Sequence, residues 1–392
     1  MDERPDLSRR RVLAGAASGA ALLTVGNALP ASANAAPPPA HGLPKENWRI
    51  DTHAHYYPDE YYAYLDRVGR LAGTVSVVGP WSVDAHLAFM DQYHIQASVL
   101  SFGDPQVALG TVADRRAVAR LSNDYGHELV RTRGDRFGIF AVTPMPDVEG
   151  AVSEVDRALD DLRLDGICLL TNYQGSYLGD PAFKPLYQVL DDHGAYVFVH
   201  PTGPAVNPAP GLQYGPNIPS QNFVFEYTWD STRTITSLIY NGVIRDYPAI
   251  RWHFVHCGGT LPFLAYRLAT LHAFYTPFND VLPEGPLTYI SRLYFDDAQA
   301  FTSAQLEPLK SLVPADHIMF GSDWPPVHNL FAADNAQKMP FLEGKLPLPA
   351  AADPEPPVDD VYTPHERIAL ERTNALAQLP RLRARVPQLK PR

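Results

Sequence analysis

Only two cysteines occur in 392 residues, so no disulfide framework can define the fold. Cys168 and Cys257 each lie inside an apolar, strand-like run, Gly166 to Leu170 and Trp252 to Cys257, where a buried free thiol is the expected state. Basic charge is also scarce: 32 lysines and arginines face 43 acidic residues, a net charge of −11. That balance excludes the basic face that nucleic acid or an anionic membrane surface requires. No apolar run suits a membrane anchor, since the best stretch, Leu13 to Leu29, is short and rich in glycine and alanine. The chain as a whole has an ordinary globular composition, 45% hydrophobic and 19% charged, and is long enough to bury a sizeable core.

The weakly apolar stretch follows Ser8-Arg9-Arg10-Arg11-Val12-Leu13 and ends in Ala31-Ser32-Ala33-Asn34-Ala35, a small-residue cleavage pattern. Residues 1–35 therefore read as a twin-arginine signal peptide, which implies export to the periplasm or the exterior after folding and cofactor loading. Residues 36–47, with four prolines, read as a linker, and a single domain is expected over 48–392.

Within that domain short apolar runs alternate with longer amphipathic ones. The strand candidates are Trp48 to Thr52, Ala97 to Phe102, Phe137 to Thr143, Gly166 to Thr171, Tyr196 to His200, Arg251 to His256, Leu293 to Asp296 and Ile318 to Gly321. Helical spacing falls between them, over Val83 to Tyr93, Thr111 to Arg133, Val148 to Leu162, Phe183 to His193, Ser231 to Asp246 and Leu261 to Phe274. Eight β-α units predict an α/β fold of the (β/α)₈ TIM-barrel type. A doubly wound sheet fits less well, because His-Ala-His stands after the first strand in place of a glycine-rich fingerprint. Two proline-rich stretches, Thr202 to Asn222 and Phe341 to Pro364, are expected to be long loops at the catalytic face.

His53 and His55 end the first strand, and alternate residues of an extended chain point the same way, so both imidazoles converge. Imidazole nitrogens are favoured ligands for zinc and related divalent ions. His200, His256 and Asp323 each close a further apolar strand. In a barrel, polar groups at C-terminal strand ends surround the catalytic mouth. His328 follows the eighth strand closely enough to be a candidate substrate contact. Phe102, Trp324, Phe223 and Phe225 are candidates for apolar walls.

The motifs Asp51-x-His53-x-His55, Val199-His200-Pro201-Thr202, His256-Cys257-Gly258-Gly259 and Gly321-Ser322-Asp323-Trp324-Pro325 carry a family resemblance. Together they resemble the amidohydrolase-related group that contains aminocarboxymuconate-semialdehyde decarboxylase and the γ-resorcylate decarboxylases. The stretches Pro144-Met145-Pro146-Asp147-Val148-Glu149-Gly150 and Tyr177-Leu178-Gly179-Asp180-Pro181 extend the likeness towards the 6-methylsalicylate decarboxylase type. The resemblance implies one divalent ion, zinc or else manganese, on the residues matching His53, His55, His200 and Asp323. It implies that His256 orients or deprotonates a water at the metal. It also implies that Arg267 reaches a substrate carboxylate in a neighbouring subunit, which makes a homodimer the expected assembly. The fourth strand lacks the lysine that binuclear members carboxylate, so a mononuclear centre is expected.

The expected reaction is non-oxidative decarboxylation of a small aromatic hydroxy acid, with Asp323 delivering a proton to the ring carbon that loses carbon dioxide. The same ligands also suit hydrolysis of an amide, ester or lactone, which is the alternative.

Overall fold

The computed structural model describes residues 48–203, 225–300, 303–326 and 361–387. The expected signal peptide and linker, most of both long loops, Phe223 and His328 lie outside the described residues. Among the described residues no helix is long and apolar enough to cross a membrane.

Ten strands follow in chain order: β1 (Arg49–His55), β2 (Ile95–Ser101), β3 (Phe137–Val142), β4 (Gly166–Leu170), β5 (Asn172–Tyr173), β6 (Ser176–Tyr177), β7 (Tyr196–His200), β8 (Arg251–Phe254), β9 (Tyr294–Asp296) and β10 (Ile318–Met319). Eight of them form one sheet in the order β1-β2-β3-β4-β7-β8-β9-β10, with every pair parallel. The sheet closes on itself through Thr52 N donating to Phe320 O at 2.9 Å and Asp323 N donating to His53 O at 2.7 Å. The eight expected strands are all present, within three residues at each end, and β5 and β6 form a small antiparallel hairpin that was not foreseen.

The helices that matter here for the site are α1 (Asp59–Arg67), α2 (Leu71–Val78), α3 (Val83–Gln92), α4 (Val112–Arg133), α5 (Val148–Asp156), α6 (Lys184–Asp192), α7 (Tyr227–Tyr240), α8 (Val243–Asp246) and α9 (Leu261–Phe274). Thr111 proves to be the cap of α4: its hydroxyl accepts from Asp114 N at 3.1 Å, and the Asp114 carboxylate accepts from Thr111 N at 3.1 Å. The helix expected over Ser231 to Asp246 is broken into α7 and α8 at Gly242, whose φ of 76° only glycine adopts cheaply.

Period-two alternation sorts side chains between two cores. Tyr196 and Phe198 of β7 join Ile50, Phe140 and Met319 in a cluster inside the barrel. Val197 and Val199 face the surrounding layer of helices. Both cysteines are buried and free, as expected.

The seam between β10 and β1 depends on Gly321. A methyl group there would sit 2.8 Å from the His53 Cβ. Gly321→Ala should cost about 1–3 kcal/mol through overpacking, seen as a lower denaturation midpoint with unchanged slope.

Candidate metal centre

β1 carries His53 and His55, β7 ends on His200, and Asp323 lies just beyond β10. One ligand atom from each of these four buried residues falls within 4.8 Å of all the others. A parallel barrel brings the C-terminal ends of its strands to one rim, so residues far apart in sequence meet there.

The histidines are also turned correctly. His55 Nδ1 is 3.1 Å from Ser101 Oγ, while its Nε2 is 3.1 Å from Asp323 Oδ1. His200 Nδ1 donates to the Pro201 carbonyl at 2.7 Å, which leaves Nε2 as the ligand nitrogen. His53 Nδ1 lies 3.0 Å from Asp296 Oδ2, and its Nε2 lies 3.4 Å from Asp323 Oδ1. Those distances suit ion pairing, but the angles fall short, so neither His53 nitrogen makes an aligned hydrogen bond. In each ring the outer nitrogen has an oxygen beside it and the inner one faces the shared centre, the usual second layer of a metal site.

The electrostatics agree. Burial pushes the His53 pKa down, but the charges of Asp296 and Asp323 overcome it and raise the value to about 10. Burial likewise opposes ionisation of Asp323, yet His53, His256 and His55 hold its carboxyl well below the usual range. Burial keeps His55 and His200 below the ordinary histidine value, and therefore neutral and able to donate a lone pair. Two buried carboxylates hold a proton on His53 that a divalent cation would displace, and the donor set of three nitrogens and one carboxylate fits such an ion.

His256 is held beside this centre, its Nε2 3.1 Å from Asp323 Oδ2. Its backbone is anchored by His256 N donating to Asp296 Oδ1 at 2.9 Å. Gln299 donates to Asp323 Oδ2 and stands 3.1 Å from His256 Nε2. His256, Gln299 and Asp323 have φ values of 54°, 60° and 52°, a conformation that costs a non-glycine residue energy and is concentrated at this rim.

A cavity of about 250 Å³ opens over the centre. His55, His200, His256 and Asp323 line it, with Tyr57, Arg70, Asp104, Tyr227 and Gln299 among its walls. Two expected wall residues are elsewhere. Phe102 is fully buried against Tyr56 and Tyr61, at ring distances of 4.5 and 4.3 Å. Trp324 stacks on Phe89 at 5.2 Å and packs on His86. Each belongs to the packing layer, and the adjacent residues, Gly103 with Asp104 and Asp323, face the cavity in their place. Arg267 is exposed on α9 and does not line this chain's own cavity among the described residues.

Asp296 is one site residue that sequence reading passed over, beside Gln299, Asp104 and Arg70. Asp296 closes β9 just as His200 closes β7, and it contacts His53 and His253, the latter at 3.2 Å. Asp296→Asn should weaken metal affinity by about 10–100-fold, measured by chelator competition, while the fold is retained by circular dichroism.

Comparison with known proteins places these features. The chain matches the amidohydrolase family over residues 50–380. It is 30% identical over 283 residues to the 6-methylsalicylic acid decarboxylase of Penicillium expansum, covering 71% of this chain and 85% of that protein. A decarboxylase of Penicillium terrestre is 32% identical over 290 residues, covering 71% and 84%. Among solved structures, 5-carboxyvanillate decarboxylase from Novosphingobium aromaticivorans, complexed with manganese and 4-hydroxy-3-methoxy-5-nitrobenzoic acid, shares the fold. Its TM-score is 0.69 at 19% identity, covering 86% of this chain and 97% of that one. With its barrel closed and its histidines and aspartate converged at one rim, the chain belongs to the amidohydrolase family.

Proposed function

We propose that the protein is a metal-dependent, non-oxidative decarboxylase of a small aromatic hydroxy acid of the 6-methylsalicylate kind. The observation that carries this reading is the pairing of Asp323 with His256 at the floor of a one-ring cavity, in a chain aligned with decarboxylases over most of its length. Zinc is the proposed ion, with manganese second, because three imidazoles and one carboxylate suit zinc's four-coordinate chemistry. A bound divalent ion supplies the positive charge that grips a carboxylate and an adjacent hydroxyl.

The chain's own groups then move the proton. Asp323 is ionised at rest. On substrate binding it takes up a proton, with His256 Nε2 held 3.1 Å from its Oδ2, and then delivers that proton to the ring carbon that bears the carboxylate. A C–H bond forms there, the bond to the carboxylate breaks, and its electron pair restores the aromatic ring as carbon dioxide leaves. Gln299 keeps the two partners aligned.

Elemental analysis of the purified protein, followed by assays for carbon dioxide release from hydroxybenzoates beside ester, lactone and amide panels, tests the reading. Release from at least one hydroxybenzoate is expected, and Asp323→Asn or His53→Ala should abolish it. Hydrolysis with no decarboxylation would overturn the reaction while leaving the fold untouched.

A homodimer is part of the proposal. Around Arg267, α9 presents Phe263, Tyr266 and Phe274 to solvent at 83%, 64% and 85% exposure, an apolar surface that a second copy can cover. Arg267 would then serve the neighbouring cavity. Sedimentation should show a dimer, and Arg267→Ala should lower kcat/KM about tenfold or more with metal content unchanged; a fully active monomer would refute this. Export through residues 1–35 is likewise proposed, and fusion of that segment to a reporter should carry it out of the cytoplasm by the twin-arginine route.

A further inference from the structure

Among the described residues Asp104 is the one carboxylate on the cavity wall outside the metal-ligand set. The turn after β2 places it one residue past Gly103, where a Cβ would lie 3.4 Å from the His200 ring. Two neighbours fix its head group. Thr202 Oγ1 donates to Oδ1 at 2.5 Å, and Tyr227 OH donates to Oδ2 at 3.2 Å. Burial holds the Tyr227 phenol far above its ordinary pKa, so it remains a donor.

A carboxylate offers about four acceptor positions, and these two donors occupy one on each oxygen. Among the described residues no lysine or arginine forms an ion pair with Asp104. Arg70, also on the wall, acts on it only through its charge. Among the described residues the result is a fixed acceptor with positions to spare, facing a small cavity. At about 250 Å³ the cavity lies below the roughly 300–1,000 Å³ typical of drug-sized ligands, so a single ring reaching the metal centre also meets this wall.

We infer that Asp104 is a substrate-binding residue: it accepts a hydrogen bond from a ring hydroxyl, and so selects hydroxylated aromatic acids over their methyl ethers. The inference rests on the proposed aromatic-acid reading and adds the residue that recognises the hydroxyl. Chemistry supports the choice of ligand group. A hydroxyl gives the carboxylate the donor it lacks, whereas an ether oxygen or a second carboxylate would face it as another acceptor. Thr202 and Tyr227 are positioning residues, since both act by aiming Asp104.

The test uses the metal-loaded protein and equilibrium titration with salicylate, with 2,3-, 2,4-, 2,5- and 2,6-dihydroxybenzoate, and with the methyl ether of each hydroxyl. The wild type should bind at least one hydroxy acid about tenfold or more tightly than its ether, as expected for a hydrogen bond to a charged group. Asp104→Asn should collapse that ratio to within about threefold, with the ether's own affinity and the metal content retained. Thr202→Val keeps the carboxylate but removes one anchor, and should lower the same ratio by a smaller factor. A ratio that survives Asp104→Asn overturns the inference, because the metal or the cavity shape would then be reading the hydroxyl. An equal loss of affinity for acid and ether also overturns it, as does failure of the whole panel to bind. Should Asp104→Asn fail to fold, an unchanged ratio in Thr202→Val decides against it. If acids bind with the expected ratio but none releases carbon dioxide, the decarboxylase reading falls while the role of Asp104 stands.

Discussion

His53 sits between two buried carboxylates, and much of the site's construction follows from that. Asp296 and Asp323 approach its two ring nitrogens at 3.0 and 3.4 Å, and all three side chains are almost wholly removed from water. Burying an uncompensated ion costs several kcal/mol even after relaxation, so the surrounding structure has to answer for both anions. It does so with donors at every turn. Asp296 accepts from the backbone of His256 and Ala298, and His253 stands beside it. Asp323 is met by His55, His256 and Gln299. The remaining demand for positive charge falls at the point where the histidine nitrogens converge, which is where a divalent cation belongs.

The scaffold transmits that demand back to the seam of the barrel. Asp51 accepts from His53 N at 3.1 Å, from Ser322 N at 3.0 Å and from Ser322 Oγ at 2.7 Å, tying the strand that carries two histidines to the turn that carries Asp323. Gly321 permits the close approach that this tie needs. The chain therefore closes its barrel and assembles its ligand set through the same few residues.

These relations were unequally legible in the sequence. Strands of alternating parity announce their ends, so His53, His55, His200 and Asp323 could be placed on one rim before any coordinates. The same signal was present in Asp296, but an aspartate that supports a histidine looks no different in sequence from one that caps a turn. The errors at Phe102 and Trp324 arise from the same alternation. Each stands next to a residue that faces the cavity, and a shift of one position moves a side chain from cavity to packing layer. Asp104, Arg70 and Gln299 had no periodic signal at all, because they lie in turns or at helix boundaries whose positions depend on the completed fold. The break at Gly242 was visible as an Asn-Gly pair, yet helical spacing continued across it and masked the turn.

An aromatic acid is an anion, and the chain carries a net charge of −11, so its approach poses a further problem. The repulsion is mostly distant. At physiological ionic strength charges are screened beyond about 8 Å, which leaves the groups lining the mouth to decide entry. There Arg70 offers positive charge at the wall, and the metal centre offers more at the floor. Asp104 works against the anion but in favour of a hydroxyl donor on the same ring. The cavity thus pairs a positive group with a hydrogen-bond acceptor on its wall, a combination that suits a ring carrying both a carboxylate and a hydroxyl.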